Sequence, residues 1–332
     1  MLGSAASRTG AERGVALLMV LWISLVLTVL VGEFSRGMRD DAIATQNLAE
    51  EIQARGVAMA AINLGIYRTL RARETDTAAT QDEADQEERW VPDGTWHDGS
   101  YSGGTYSVRL MDEGGKIGLN RADETLLRRV FANLGLDEDT QESLADAILD
   151  WRDPDSLVRL HGAEDDYYLA LRQPYATKNA PFDFVEELLL VRGMTRALLF
   201  GAPPSTAERQ DQPSIPLKEI SSVFTQTANI NVRTAPKAVL RVLLGGAEED
   251  ADEIIAARTN DLGSALTLMR AKMGDQILAR RLVDTTASTL AIDARAVMQD
   301  GQIQARVGAV VDIAEDADGF HVARWFDRLP AF

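Results

Sequence analysis

The chain has 332 residues, room for one large domain or two ordinary ones with a real core. Apolar residues make up 45% and charged residues 26%, the balance of a folded protein and not of a disordered one. Its 51 acidic residues against 34 basic ones give a formal charge of −17, which argues against broad phosphate-backbone binding, and the absence of cysteine excludes disulfides, thiolate metal sites and cysteine nucleophiles. The three histidines, His97, His161 and His321, are far apart and form no His-Glu-x-x-His pair.

Arg8, Glu12, Arg13 and Gly14 precede an apolar run from Val15 to Gly32, 18 residues long. As a helix it spans about 27 Å, close to the hydrocarbon thickness of a bilayer. The basic start puts residues 1–14 on the cytoplasmic side and the rest outside. A secretory signal peptide shares the basic start, but Gly32-Glu33-Phe34-Ser35-Arg36 offers no small-x-small cleavage site. A plain one-pass anchor is the simpler alternative. Helix-compatible sequence continues without proline to about Arg73, and Phe34, Met38, Leu48, Ile52, Met59, Ile62, Ile66 and Leu70 recur mostly at helical spacing. Residues 15–71 are therefore expected to form one long helix, first in lipid and then amphipathic, with Gly37, Gly56 and Gly65 as places where it bends or packs closely.

The Arg13-Gly14 junction followed by Val15-Ala16-Leu17-Leu18-Met19 resembles the type IV pilin and pseudopilin family. The resemblance implies a leader cut after Gly14 by prepilin peptidase, methylation of the new amino group on Val15, and an N-terminal helix running into a soluble head. The family usually has glutamate at the fifth mature position, where this chain has Met19. That departure removes a salt bridge to a neighbouring subunit and suits a subunit that caps a filament.

Residues 74–99 are polar and acidic and read as a solvated connection. Tyr106, Val108 and Leu110 alternate in a strand, and Asp112-Glu113-Gly114-Gly115 supplies a turn before Lys116 to Asn120. Residues 121–200 are mostly helical, edged by Pro203-Pro204 and Pro213 to Pro216. Strands are expected again at 288–297, 302–313 and 319–325. The predicted fold is α+β: a type IV pilin-like fold with a long N-terminal transmembrane helix, an antiparallel sheet and an inserted, mainly helical domain. Its expected divisions are a leader (1–14), the helix (15–71), the first part of the head (72–120), the insertion (121–212) and the second part of the head (213–332).

An internal repeat aligns Ile117, Ala122, Leu126 and Arg128 with Ile230, Ala235, Val239 and Arg241, and Asp146, Ile148 and Arg152 with Asp252, Ile254 and Arg258. It resembles helix-hairpin-helix units, which grip phosphates through backbone amides and basic groups. Glu248-Glu249-Asp250 at the hairpin would repel a phosphate, so no nucleic-acid partner is expected.

Asp150-Trp151-Arg152-Asp153-Pro154-Asp155, Gly162-Ala163-Glu164-Asp165-Asp166-Tyr167-Tyr168 and the later Ile230-Asn231-Val232-Arg233-Thr234-Ala235-Pro236 carry a narrower resemblance, to the protein K family of minor pseudopilins of type II secretion systems. It implies an assembly subunit at the pseudopilus tip that helps initiate or cap the filament, with the minor pseudopilins I and J and the major pseudopilin as partners. It further implies the inner membrane of a Gram-negative bacterium, crossed once, with the head in the periplasm, and export of folded proteins across the outer membrane. The runner-up is a minor pilin of an adhesive or DNA-uptake filament. Asp150, Asp153, Asp155, Glu164, Asp165 and Asp166 carry enough carboxylate for a structural calcium ion, which takes six to eight oxygens. The alternative is a solvated acidic surface whose members cap helices. The family resemblance supports calcium. No Gly-x-Ser-x-Gly elbow or Walker sequence is present, and no enzymatic activity is expected.

Overall fold

The computed structural model describes residues 9–77, 90–201, 215–260, 262–285, 288–298, 304–313 and 319–327. Helix α1 (Thr9–Thr77) is a single element of 69 residues, about 100 Å long at 1.5 Å per residue. It runs through Gly14, Gly37, Gly56 and Gly65 and extends beyond the expected 15–71 at both ends. Among the described residues it is the one helix long and apolar enough to cross a membrane. Its packed stripe is Ala54, Val57, Ala58, Ala61, Ile62 and Ile66, all buried. This differs from the stripe of large residues expected from the sequence: Ile62 and Ile66 belong to it, whereas Phe34, Met38, Leu48, Ile52 and Met59 are exposed. Alanine carries little hydrophobic signal, yet it sets the buried face here because a small side chain lets the helix approach the sheet.

Strand β1 (Asp93–Tyr101) turns through Ser102 and Gly103, both at positive φ, into β2 (Gly104–Asp112), with Gly99 opposite Tyr106. The hairpin therefore lies at residues 102–103 and not at the expected 112–115, and residues 93–99 form a strand where a solvated connection was expected. Gly94, Asp93, Asp98 and Gly99 weaken its sequence signal. The Gly99 position is covered by the Tyr106 ring, since a Cβ there would lie 2.4 Å from the tyrosine oxygen. Glu113–Gly115 is a short 3-10 turn that leads out of the sheet.

The helical body follows: β3 (Ile117–Gly118), α2 (Glu124–Asn133), α3 (Glu138–Arg152), α4 (Asp165–Leu169), α5 (Arg196–Phe200), α6 (Leu217–Ile220), β4 (Ser221–Ser222), β5 (Ile230–Asn231), α7 (Lys237–Leu243), α8 (Glu248–Asn260), α9 (Leu262–Lys272), α10 (Gln276–Ala279) and β6 (Leu282–Val283). Pairing of β3 with β4 and of β5 with β6 is parallel. Both repeat copies are visible as a two-residue strand and two helices. The matching arginines act alike: the Arg152 guanidinium donates to the carbonyls of Leu119 and Ala122, and Arg258 donates to the Ala235 carbonyl at 2.7 Å.

The chain then returns to the sheet as β7 (Thr289–Met298), β8 (Gln304–Ile313) and β9 (Phe320–Phe326), giving one antiparallel sheet in the order β1-β2-β7-β8-β9. Two hydrophobic cores result. One joins the α1 stripe to Val108, Leu110, Ile292, Ala294, Val307 and Val311; the other runs from Ile117 to Leu282. The second repeat copy packs in the body, although the expected divisions 121–212 and 213–332 had assigned it to the sheet unit. The seam is tied by Asp112, a buried carboxylate that accepts from the Gly114 amide (2.8 Å), Asn231 Nδ2 (2.7 Å) and Thr234 Oγ1 (2.6 Å). Burial pushes its carboxyl above the usual range.

Candidate functional site

Helix α3 carries Glu142, Asp146 and Asp150 at successive four-residue steps, one carboxylate stripe on one face. Hydrophobic neighbours Leu144, Ala145, Ile148 and Trp151 seat the helix in the body, and the stripe faces the loop that leaves its C-terminus. Asp150 is fully buried, and its Oδ2 accepts from the Arg159 amide at 3.2 Å. Asp146 Oδ2 accepts from the His161 amide at 3.1 Å, and His161 Nδ1 lies 3.3 Å from Glu142. The Arg159 side chain lies 3.3 Å from Asp150 and 3.8 Å from Asp153. Gly162 makes the fit possible, because a Cβ there would stand 1.9 Å from Asp150 Oδ2. The Gly162 carbonyl accepts from Arg192 Nη1 at 2.8 Å.

Behind the loop Trp151, Tyr168 and Tyr175 form an aromatic wall, with Tyr168 edge-on to Trp151 at 5.3 Å between centroids. Tyr168 is buried and its hydroxyl accepts from the Arg192 amide at 3.2 Å. Burial pushes its phenol up to about 12, so it stays neutral.

The six carboxylates expected to act together separate into two kinds. Asp150 Oδ1, Asp153 Oδ1 and both oxygens of Glu164 are buried and accept no well-formed hydrogen bond among the described residues, although Arg159 Nε stands 3.3 Å from Asp150 Oδ1. Burial pushes the Asp150 carboxyl up to about 6, with the Asp153 charge adding to the shift. Glu164 is raised first by burial and then by the charges of Asp150, Asp153 and Asp165, and Asp153 by burial and by Asp155. The other three have different surroundings. Asp165 Oδ1 accepts from the Thr177 amide at 2.8 Å, exposed Asp155 accepts from the Leu157 amide at 2.8 Å, and Asp166 is exposed. No three carboxylate or histidine groups among the described residues converge to the spacing of a metal site. The feature that bears on a cation is this set of buried oxygens on Asp150, Asp153 and Glu164, hard and anionic and of the kind calcium takes, with the Arg159 guanidinium already beside two of the three groups.

Several working residues were not singled out from the sequence. Glu142 and Asp146 were readable from their spacing relative to Asp150. Arg159 has no local signal, and Gly162, quoted in the sequence only as part of the Gly162-to-Tyr168 run, shows its packing against Asp150 only once the loop folds back over α3. The Gly14–Val15 bond lies within α1, and Val15 is exposed. The basic groups around the second repeat are committed to acids: Lys237 lies 3.1 Å from Glu248 and 2.7 Å from Asp252, and Lys272 lies 2.7 Å from Glu253 and also pairs with Asp250.

A family model described as type II secretion system (T2SS), protein K matches residues 109–204. Similar proteins include the type II secretion system protein K of Klebsiella pneumoniae, 27% identical over 261 residues that cover 74% of this chain and 75% of the relative. The protein K of Pectobacterium carotovorum subsp. carotovorum is 28% identical, with 55% of this chain and 58% of the relative covered. For that of Pseudomonas aeruginosa the identity is 28%, with 52% of each chain covered, so these two alignments span little more than half of the relatives' lengths. Among solved structures, the crystal structure of the GspK-GspI-GspJ complex from the enterotoxigenic Escherichia coli type 2 secretion system contains a chain that matches with a TM-score of 0.57. That chain is 19% identical, and the match covers 85% of this chain and 98% of that one, which is a likeness of fold.

Proposed function

We propose that the chain is a member of the type II secretion system protein K family and works as a minor pseudopilin at the tip of a secretion pseudopilus, where it helps initiate or cap the filament that exports folded proteins; the match of residues 109–204 to the protein K model and the likeness to the Klebsiella pneumoniae protein support this reading. On this reading residues 15–32 hold the precursor in the inner membrane of a Gram-negative bacterium, and prepilin peptidase removes residues 1–14. The new amino group of Val15 is methylated, and the head stands in the periplasm. The partners are the minor pseudopilins I and J of the same system and the major pseudopilin.

The observation that carries the reading is the continuity of α1. One helix has an apolar first part exposed on all sides and a second part whose alanine-rich face is the spine of the head. Its other face leaves Phe34, Met38, Leu48, Ile52 and Met59 exposed, a stripe available to neighbouring helices. The body, with a core separate from that of the sheet, is the bulk that would prevent repeated lateral packing and so favours a terminal position.

For the structural calcium ion of this reading the candidate ligands are Asp150, Asp153 and Glu164, which do not stand at ligand spacing and would have to draw together on binding, with Asp165 and the exposed Asp155 and Asp166 as the acidic margin. When bound, calcium supplies positive charge to these buried oxygens and fixes the loop over α3. N-terminal sequencing of the protein from cells with and without prepilin peptidase tests the minor-pseudopilin reading. The expected mature chain starts at Val15 with a methylated amino group only when the peptidase is present, and a native protein that retains residues 1–14 would overturn it.

A further inference from the structure

The loop between α3 and α4 exposes Leu157, Val158 and Leu160 at 77%, 62% and 89%, three large aliphatic side chains within four residues. Single exposed aliphatics are ordinary, but a contiguous apolar group on a soluble surface marks an interaction site. This loop is also held. The Leu157 amide donates to Asp155, the Arg159 amide to Asp150 and the His161 amide to Asp146, so alternate backbone donors are tied to carboxylates on α3 or in the loop itself. Arg159, the loop's cation, points back to Asp150 and Asp153. The aliphatic side chains are thus carried on backbone that is already fixed, which lowers the ordering cost of binding.

We propose that residues 157–160 form a preformed apolar knob that docks into an apolar, basic-rimmed groove on a protein partner. Charge selects this occupant over a lipid surface. The chain carries −17, the exposed acid Asp155 flanks the knob, and its one cation is already paired, so an anionic headgroup layer would repel it while a basic rim would attract it. Three side chains bury far less than the roughly 1,000 Å² of a stable interface, which makes the contact transient and consistent with a partner met in passing. The inference adds a contact surface to the minor-pseudopilin reading and rests on that reading for its cellular readout.

The test is export by cells whose native copy is replaced by full-length Leu157→Ser/Val158→Ser/Leu160→Ser, or by the milder Leu157→Gln/Leu160→Gln, beside a deletion control. Photo-crosslinking from position 160 runs in parallel, with position 169 as an exposed apolar control outside the knob. Truncating a central apolar anchor costs about tenfold in affinity. Export is therefore expected to fall about tenfold in both variants, while protein level, melting temperature and co-isolation with the minor pseudopilins stay unchanged. A discrete protein adduct should form from position 160 and disappear when Leu157 and Val158 are also replaced by Ser. Normal export by both variants while deletion abolishes it would overturn the knob, as would loss of co-isolation in both variants or loop-dependent sedimentation with phosphatidylglycerol vesicles. Normal export after deletion would instead overturn the minor-pseudopilin reading, and the knob would then stand or fall on the adduct.

Discussion

Replacing Asp150 with asparagine separates the cost of burying a charge from the benefit of binding a cation. The side chain is fully buried, one oxygen holds the Arg159 amide and the other faces Arg159 Nε at 3.3 Å, and the carboxyl is pushed from an ordinary 3.8 up to about 6. An acid whose folded-state value is raised keeps its proton longer in the folded chain than in the unfolded one. The fold is therefore favoured below the unfolded value, loses stability as pH climbs from about 4 to about 6, and stays lower above that window. A shift of about two units corresponds to about 3 kcal/mol at 1.4 kcal/mol per unit, and because asparagine gives up the ion pair with Arg159, about 1–3 kcal/mol is the working range. Asparagine keeps an oxygen for the Arg159 amide and carries no charge. In chelator at neutral pH, Asp150→Asn should therefore be about 1–3 kcal/mol more stable than the parent, while at about pH 4 the two should nearly coincide. On the calcium proposal, saturation at one hundred times the dissociation constant adds about 2.7 kcal/mol to the parent alone, which cancels most of the variant's advantage or reverses it. Thermal unfolding of the detergent-solubilised full chain, with chelator and with calcium, reads both effects. A variant less stable than the parent in chelator, or one that keeps the parent's full calcium response, would refute the reasoning.

Gly162→Ala places a methyl against Asp150 Oδ2, so the loop or the carboxylate must move; a loss of about 1–3 kcal/mol and a reduced calcium-dependent rise in melting temperature are expected. Asp293 is buried, accepts from Arg109 at 3.0 Å and from Arg306 Nε at 2.9 Å, and so bridges the two guanidinium groups with one negative charge on the face of the sheet that also stacks Arg295 over Trp96. Asp293→Ala leaves two facing guanidinium groups and should cost about 3–5 kcal/mol, measured by denaturant unfolding and eased by added salt. Ile62→Ala opens the α1–sheet core where the side chain is fully buried and should cost about 2–5 kcal/mol, with the helical body still folded by limited proteolysis, since its core is separate.

Long-period features were readable from the sequence because many residues report them together. The apolar run and its helical continuation gave α1, and alternation gave β7, β8 and β9 within a residue or two. The misread features turned on single contacts between distant residues. Strand β1 is rich in glycine and aspartate and depends on β2, with Tyr106 covering Gly99, for its place in the sheet. The buried face of α1 is built on Ala54, Ala58 and Ala61, which carry almost no hydrophobic signal. The acidic cluster shows the same limit. Composition flagged six carboxylates, but burial, which divides Asp150 and Glu164 from exposed Asp155 and Asp166, arises only when the loop folds back onto α3.

On the proposed route the first part of α1 leaves lipid for a bundle of like helices, exchanging one apolar surrounding for another. Such a transfer gains little from the hydrophobic effect, since lipid tails are as apolar as the leucines they release. The energy that commits a subunit to the filament must then come from surfaces that water covers beforehand. On this chain those are the Met38, Leu48, Ile52 and Met59 stripe and the head, while Met19 offers no charge to pair with a neighbour's terminus. Polar substitutions in that stripe should therefore weaken assembly more than apolar exchanges within residues 15–32, although the latter segment is the more hydrophobic of the two.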